Sequence, residues 1–321
     1  GAVEAVNADE RVKVQLVGQV DVIEKELQKY TYPKERVEIV PATEIIETGE
    51  PPVNAIRHKK DSSIVVGMKK VRCGEADAFV SSGSTGAVLV GGQTIVGRIK
   101  GVERPPLAPL IPTKDGVSLL IDCGANVECT AEYLLQFAFM GSFYARKLMG
   151  CEKPRVGLLN VGTEDTKGGQ LQHQAFALLR KAHEEGRIHF IGNVEGTGVF
   201  SGGVEVVVSD GFTGNVLLKT TEGVIKYMMT QLKGVFYKNG LNKLAAAVLK
   251  KDLAAMKKTM DVNEVGGTAL VGISKPVIKA HGSSNAASIF AAVRQAVAFV
   301  QSGLIEDITE NIEYMKLRTD E

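Results

Sequence analysis

The sequence carries almost no excess charge: its 38 Lys and Arg nearly balance 37 Asp and Glu, for a formal net charge of +1. There is no global field to attract nucleic acid, and any basic surface must be local. Tryptophan is absent, and the four cysteines (Cys73, Cys123, Cys129, Cys151) form no CxxC pair. They read as free thiols of a reducing compartment. The five histidines are scattered, with no HExxH and no His/Cys cluster, so no catalytic metal or other cofactor is expected. No Walker A loop, GxGxxG fingerprint or GxSxG elbow is present, which argues against nucleotide-driven, dinucleotide and serine-hydrolase chemistry. No uncharged apolar run reaches membrane-spanning length and no signal peptide is visible, so a cytoplasmic protein is expected.

What is present is glycine, 35 residues of it, in a chain 44% hydrophobic. Abundant glycine suits many tight strand-to-helix turns. The pattern is clearest at Arg155-Val-Gly-Leu-Leu159, a short apolar run that turns abruptly into Asn160, Gly162, Thr163, Glu164, Asp165, Lys167 and Gly168. A buried parallel strand reads as such a run, and the polar burst falls where a βα loop belongs. A helix from Leu171 to His183 follows. In open α/β sheets ligands bind at the carboxyl ends of the strands, and a helix N-terminus there suits an anion.

The construction recurs. Strands are expected at 12–18, 37–40, 76–80, 117–121, 189–194, 204–209 and 277–280, and most of them close on Gly, Asp, Ser or His before a helix. Ser81-Ser-Gly-Ser-Thr-Gly86 has the strand–loop–helix layout that cradles phosphate with N–H groups and hydroxyls. Asp210-Gly-Phe-Thr-Gly-Asn215 repeats the device, whereas 104–112, rich in proline, reads as an extended connection. The helix at 131–149 is apolar almost all round, so it is expected to be buried or at a subunit interface. Arg57, Lys59, Lys60, Lys69, Lys70 and Arg72 form a basic face that either docks a partner or is simply solvated. From Asn239 to Met260, Leu241, Leu244, Val248, Leu249 and Leu253 recur at helical spacing among lysines. Such a helix or helix pair lies either on an anionic membrane or against protein. The charged tail from Glu306 is expected to be helical.

The polar set at the strand ends suits holding an anion and a carbonyl oxygen by electrostatics, with no covalent enzyme intermediate. Lys167 can offer charge to phosphate, and Asn215 can donate to an oxyanion. Asn215 can equally cap a helix. His281 can act as general acid or base, or serve structure alone. Asp122 and Asp210 read as residues that orient loops.

Seven motifs occur in order: 81–87, 99–105, 122–126, 157–168, 191–195, 210–215 and Lys279-Ala-His-Gly-Ser-Ser284. With these the chain closely resembles the bacterial phosphate acyltransferase family, PlsX, over nearly its whole length. The resemblance implies a three-layer α/β/α fold with a mostly parallel sheet, similar to phosphotransacetylase and isocitrate-dehydrogenase-like enzymes. It implies one domain over residues 1–321, with a helical protrusion at about 233–260, and a homodimer that contacts the membrane peripherally. Family members convert acyl-[acyl-carrier-protein] and inorganic phosphate into acyl phosphate and free acyl carrier protein. The product feeds a glycerol-3-phosphate acyltransferase in phospholipid synthesis. The basic face is then the expected dock for the carrier protein, and Leu241, Leu244, Val248, Leu249 and Leu253 the expected membrane contact.

On this reading Lys167 and Asn215 carry catalysis and His281 protonates the leaving thiolate. Ser84, Thr85, Asn126, Asn160, Thr163, Asp165, Asp210, Thr213 and Ser283 bind substrate or phosphate. The family pattern opens with a strand and an Asp-Ala-Met-Gly-Gly-Asp loop, neither of which occurs in this sequence, and Gly169 stands where the family often has Asn. The alternatives are a phosphotransacetylase-like enzyme using acyl-coenzyme A, or a non-catalytic scaffold that binds phosphate or acyl phosphate.

Overall fold

Strand and helix alternate through most of the chain. The computed structural model describes residues 1–260 and 266–316, and of 257–260 the backbone only. Its strands are β1 Val14–Gly18, β2 Val37–Pro41, β3 Phe79–Ser81, β4 Leu107–Ala108, β5 Leu110–Thr113, β6 Gly116–Ile121, β7 Arg155–Leu159, β8 His189–Val194, β9 Val206–Val208, β10 Thr268–Leu270 and β11 Val277–Lys279. The helices before the second half are α1 Ala2–Ala8, α2 Val20–Leu27, α3 Pro52–His58, α4 Ser63–Arg72, α5 Thr85–Gly91 and α6 Ala131–Leu148. The rest are α7 Gln170–Glu184, α8 Gly196–Phe200, α9 Gly211–Phe236, α10 Gly240–Val248, α11 Lys250–Met260, α12 Ala286–Gln301 and α13 Leu304–Glu310. Lys257, Lys258 and Met260 of the predicted amphipathic pattern have side chains outside the described set, as do residues 317–321 of the predicted helical tail.

The strands form three sheets, ordered β1-β2, β3-β11-β10-β4 and β5-β6-β9-β7-β8. In the third, β6, β9, β7 and β8 run parallel, so their carboxyl ends meet at one edge. Alternate residues of these strands face opposite ways. Leu119, Ile121, Val156, Leu158, Val206 and Val208 pack with α6 and α7. Leu120, Leu159 and Val207 pack with Val199 of α8 and Leu218 of α9. Burial on both faces is why these strands read as unbroken apolar runs. It also makes the layering α/β/α. The nearly all-apolar α6 is indeed buried along most of its length, from Ala131 to Ala145.

The sheets are more mixed than the sequence pattern suggests. β5 pairs antiparallel with β6, and β10 pairs antiparallel with both β4 and β11. The proline-rich stretch read as a connection supplies β4 and β5. Pro112 fits because β5 is an edge strand, where a missing N–H is tolerated. A cavity of about 1170 Å³ lies between β1 and β3, which share no ladder. The two larger sheets meet through Leu107–Thr113, and the cleft between them holds the candidate site.

Candidate active site in the cleft between the sheets

The floor of the cleft is organised by Asp122, at the carboxyl end of β6. Its side chain is fully buried. Oδ1 accepts from the N–H groups of Leu107 (2.8 Å), Cys123 (2.6 Å) and Ala125 (3.3 Å). Oδ2 accepts from the N–H of Asn126 (2.6 Å) and from its side-chain amide (3.0 Å). One carboxylate thus ties β4 of one sheet to the β6 loop of the other. Burial raises its pKa to about 6, against the pull of these N–H donors. Helix α9 then presses onto this loop. A Cβ on Gly214 would lie 2.0 Å from the Asp122 carbonyl oxygen, so only glycine lets the helix come this close.

The next residue, Asn215, therefore faces the loop. A Cβ on Gly124 would lie 3.6 Å from its carboxamide carbon. Asn215 is exposed, and no hydrogen bond within the described residues occupies its amide. It does not cap α9; Asp210 does, accepting from Thr213 N (2.8 Å) and Thr213 Oγ1 (2.7 Å). The cleft narrows here to a pocket of about 110 Å³. Thr85, Asn215 and His281, three predicted site residues, line it together with Cys123, Lys219, Glu222 and Lys279. Burial pushes the Cys123 thiol up to about 12, so it stays protonated and is no nucleophile at neutral pH. His281 Nδ1 accepts from Ser283 N (3.2 Å) and lies 2.8 Å from Ser283 Oγ. That leaves the N–H of the neutral ring on Nε2, where it can donate a hydrogen bond.

The other predicted residues divide into two groups. Ser84, Asn126, Asp210 and Thr213 spend polar groups inside the fold: Ser84 caps α5, and the Asn126 amide also donates to Pro105 O. Asn160, Thr163, Asp165 and Lys167 lie beyond β7, on the same sheet edge but not in the lining of the small pocket. Asn160 shapes that loop by donating to Lys167 O (3.0 Å), and Asp165 pairs with Arg180 (2.6 Å). Lys167 is exposed. Lys219, Glu222 and Lys279 are site residues that the sequence pattern does not mark; Lys279 sits inside the motif at 279–284, and the other two lie in a plain stretch of helix.

A second, larger cavity of about 1000 Å³ opens from the small one. Glu222 and His281 belong to both. Its walls are apolar residues of α9, among them Ile225, Met229, Leu232 and Phe236, and Ala246, Ala247 and Leu253 of α10 and α11. Lys226, Lys233, Lys243 and Lys250 also line it. The helical pair predicted at 239–260 therefore has two apolar faces. Leu253 turns into the cavity, whereas Leu241, Leu244 and Val248 are 80%, 65% and 77% exposed.

The basic face is largely satisfied internally. Lys59 pairs with Glu50 (2.6 Å) and Lys70 with Glu75 (2.6 Å). Lys60 donates to Ile56 O and Arg72 to Ile95 O. The side chains of Arg57 and Lys69 make no hydrogen bond or ion pair among the described residues. Likewise, no group of three or more potential metal ligands occurs among the described residues.

Comparison with known proteins decides the family. The model of the family described as "Fatty acid synthesis protein" matches residues 1–307. The phosphate acyltransferase of Geobacillus sp. (strain WCH70) is 48% identical over 98% of this chain and 93% of its own. That of Alkaliphilus oremlandii (strain OhILAs) is 46% identical over 97% of this chain and 92% of its own. The chain belongs to the phosphate acyltransferase (PlsX) family. It is an acyltransferase of fatty acid and phospholipid synthesis.

Solved structures agree on the fold. A phosphotransacetylase from Streptococcus pyogenes superposes with a TM-score of 0.63 at 16% identity, covering 93% of this chain and 89% of that one. The EutD phosphotransacetylase from Staphylococcus aureus gives 0.58 at 16% identity, covering 94% and 89%. At such identities the likeness speaks for the α/β architecture alone.

Proposed function

We propose that this phosphate acyltransferase moves the acyl group of acyl-[acyl carrier protein] onto inorganic phosphate. A phosphate oxygen attacks the thioester carbonyl carbon. The C–S bond of the tetrahedral intermediate then breaks, giving acyl phosphate and a thiolate that takes up a proton. The observation that carries this reading is the joining of a small polar pocket to a long apolar cavity through Glu222 and His281. The first suits an oxyanion and a reacting carbonyl; the second suits the hydrocarbon tail. Phosphate is already anionic, so no side-chain nucleophile is required, in keeping with the protonated Cys123. Asn215 donates to the developing oxyanion, and His281 Nε2–H faces the leaving sulfur. Hydroxylamine trapping tests the product: with enzyme and phosphate, palmitoyl-carrier protein should yield palmitoyl hydroxamate above the level that the thioester alone gives without phosphate. Product from acyl-coenzyme A but none from the carrier thioester would replace this reading with the phosphotransacetylase-like one.

Lys167 is assigned to capture phosphate at the mouth of the cleft, since it lies exposed at the carboxyl edge of the sheet with no ion-pair partner among the described residues. Lys167→Ala is expected to cut kcat/KM for phosphate about tenfold or more, the scale of one charge-assisted contact, with Tm unchanged. Wild-type kcat/KM in that variant removes Lys167 from the site.

The exposed face of α10 is assigned to the membrane surface, because three large apolar side chains stand in solvent beside a lysine-rich helix. Leu241→Glu/Val248→Glu should lower binding to anionic lipid vesicles about tenfold or more, at roughly 1.5 kcal/mol or more per apolar side chain fully withdrawn from water. Undiminished vesicle binding would assign that face to protein instead.

A further inference from the structure

Lys279 is the only buried lysine or arginine among the described residues. It ends β11, the strand between β3 and β10. Burial of its side chain follows from that central position, and only 8% of the residue is exposed. A lysine is almost never this deep without a partner. Its Nζ donates to the carbonyl of the adjacent Ala280, and no carboxylate among the described residues pairs with it.

The charges of the described residues around the small pocket do not balance either. From α9 come Lys219 and Glu222, paired with each other at 2.8 Å. From the β6 loop comes Cys123, a protonated thiol, and from the loop after β11 comes His281. With Lys219 and Glu222 cancelling, the ammonium of Lys279 is left uncompensated. Among the described residues, two lysines, Lys219 and Lys279, therefore face one small cavity that a single acid, Glu222, shares. A fold tolerates this when an anion completes the set. Thr85 adds a hydroxyl that no described residue occupies, and Asn215 a free amide.

We propose that Lys279 is an anion-binding residue of the active site, and that with Lys219 and Thr85 it seats the attacking inorganic phosphate beside Asn215. This inference rests on the acyl-transfer reading above and adds the place where the nucleophile sits. A pocket of about 110 Å³ takes a small oxyanion and excludes the acyl tail, which is left to the apolar cavity. The seat has a pH signature. Burial, with Lys219 second, lowers the Lys279 pKa to about 8. The ammonium is half lost at about pH 8 and disappears as pH rises further. Above about pH 8, where the phosphate is already a dianion, its affinity is therefore expected to fall as much as tenfold per pH unit.

The test uses the whole enzyme, inorganic phosphate as ligand and two variants. Lys279→Met keeps the length of the side chain and removes the buried charge, so its Tm without phosphate should equal or exceed that of the wild type. Phosphate should raise the wild-type Tm, since it binds the folded state alone, and should leave that of Lys279→Met unmoved. The KM for phosphate in thiol release should rise about a hundredfold, the scale of one buried hydrogen bond to a charged group. Lys279→Arg, which stays charged at all accessible pH, should retain phosphate binding and lose the fall above pH 8. A purely structural lysine would change Tm and spare the phosphate dependence. Lys279→Met with a wild-type phosphate shift and KM would overturn the assignment and leave the acyl-transfer reading standing. A wild-type enzyme that forms no acyl phosphate at all would overturn that reading. Should Lys279→Met fail to fold, Lys279→Gln and Lys279→Arg carry the same comparison.

Discussion

Asn215→Ala is expected to lower kcat about a hundred- to a thousandfold, the usual loss when one oxyanion donor is removed. The expectation follows from position and not from stability. The Asn215 amide is exposed and without a partner among the described residues, so removing it should leave Tm within about 1 °C, as for most surface changes away from special features. Its place is set by the residue before it. The close approach of Gly214 to the Asp122 carbonyl pins the first turn of α9 against the β6 loop. A donor held in place needs no reorganisation when charge develops on the carbonyl oxygen. The loss should fall on kcat, with the KM for phosphate nearly unchanged, because the interaction strengthens in the transition state. Steady-state thiol release with saturating phosphate measures it. A kcat within threefold of wild type would remove Asn215 from the chemistry.

Asp122→Ala is expected to destabilise the fold by about 3–5 kcal/mol, at the upper end of what single substitutions do. Four backbone N–H groups and one side-chain amide lose their acceptor at once. Each buried donor left unmade costs about 1–3 kcal/mol, and water entering the vacated space recovers part of the total. The penalty should depend on pH, with a defined sign. The folded pKa of Asp122 is raised, to about 6 against 3.8. Its contribution is therefore fully present below the unfolded value and is lost as pH rises through about 6. The variant should then fall further below wild type at pH 5 than at pH 7, by about 1 kcal/mol. Urea melts at the two pH values give the difference. A penalty below about 1 kcal/mol at both would mean that the loop does not depend on this carboxylate.

Much of this architecture is legible in the sequence because burial writes itself into composition. Strands β6, β7 and β9 are covered on both faces, so they appear as apolar runs, and the polar bursts after them mark the sheet edge. The motifs at 122–126 and 210–215 could likewise be read as loop-orienting devices, and Asp122 and Asp210 serve so here. Lys279 shows where such reading stops. Val277-Ile-Lys-Ala280 is a plain short strand on paper. Its depth comes from pairing with β3, some two hundred residues earlier, and with β10. Only that pairing makes its lysine a buried charge. The two apolar faces of the helical pair were hidden for a related reason. Leu241 and Leu253 share one periodicity, yet one is 80% exposed and the other lines the cavity. The break at Leu249 between α10 and α11 separates them, and helical spacing alone does not reveal a change of direction. The strands in the proline-rich stretch are not legible in the sequence because β4 and β5 are edge strands, and an edge tolerates proline where an internal strand does not.

The most direct test of the account is release of free thiol from palmitoyl-acyl carrier protein, followed with and without inorganic phosphate. The account predicts release that requires phosphate, saturates with it, and yields one palmitoyl phosphate per thiol. Release at the same rate without phosphate would make the protein a thioesterase, and no release under either condition would contradict acyl transfer altogether.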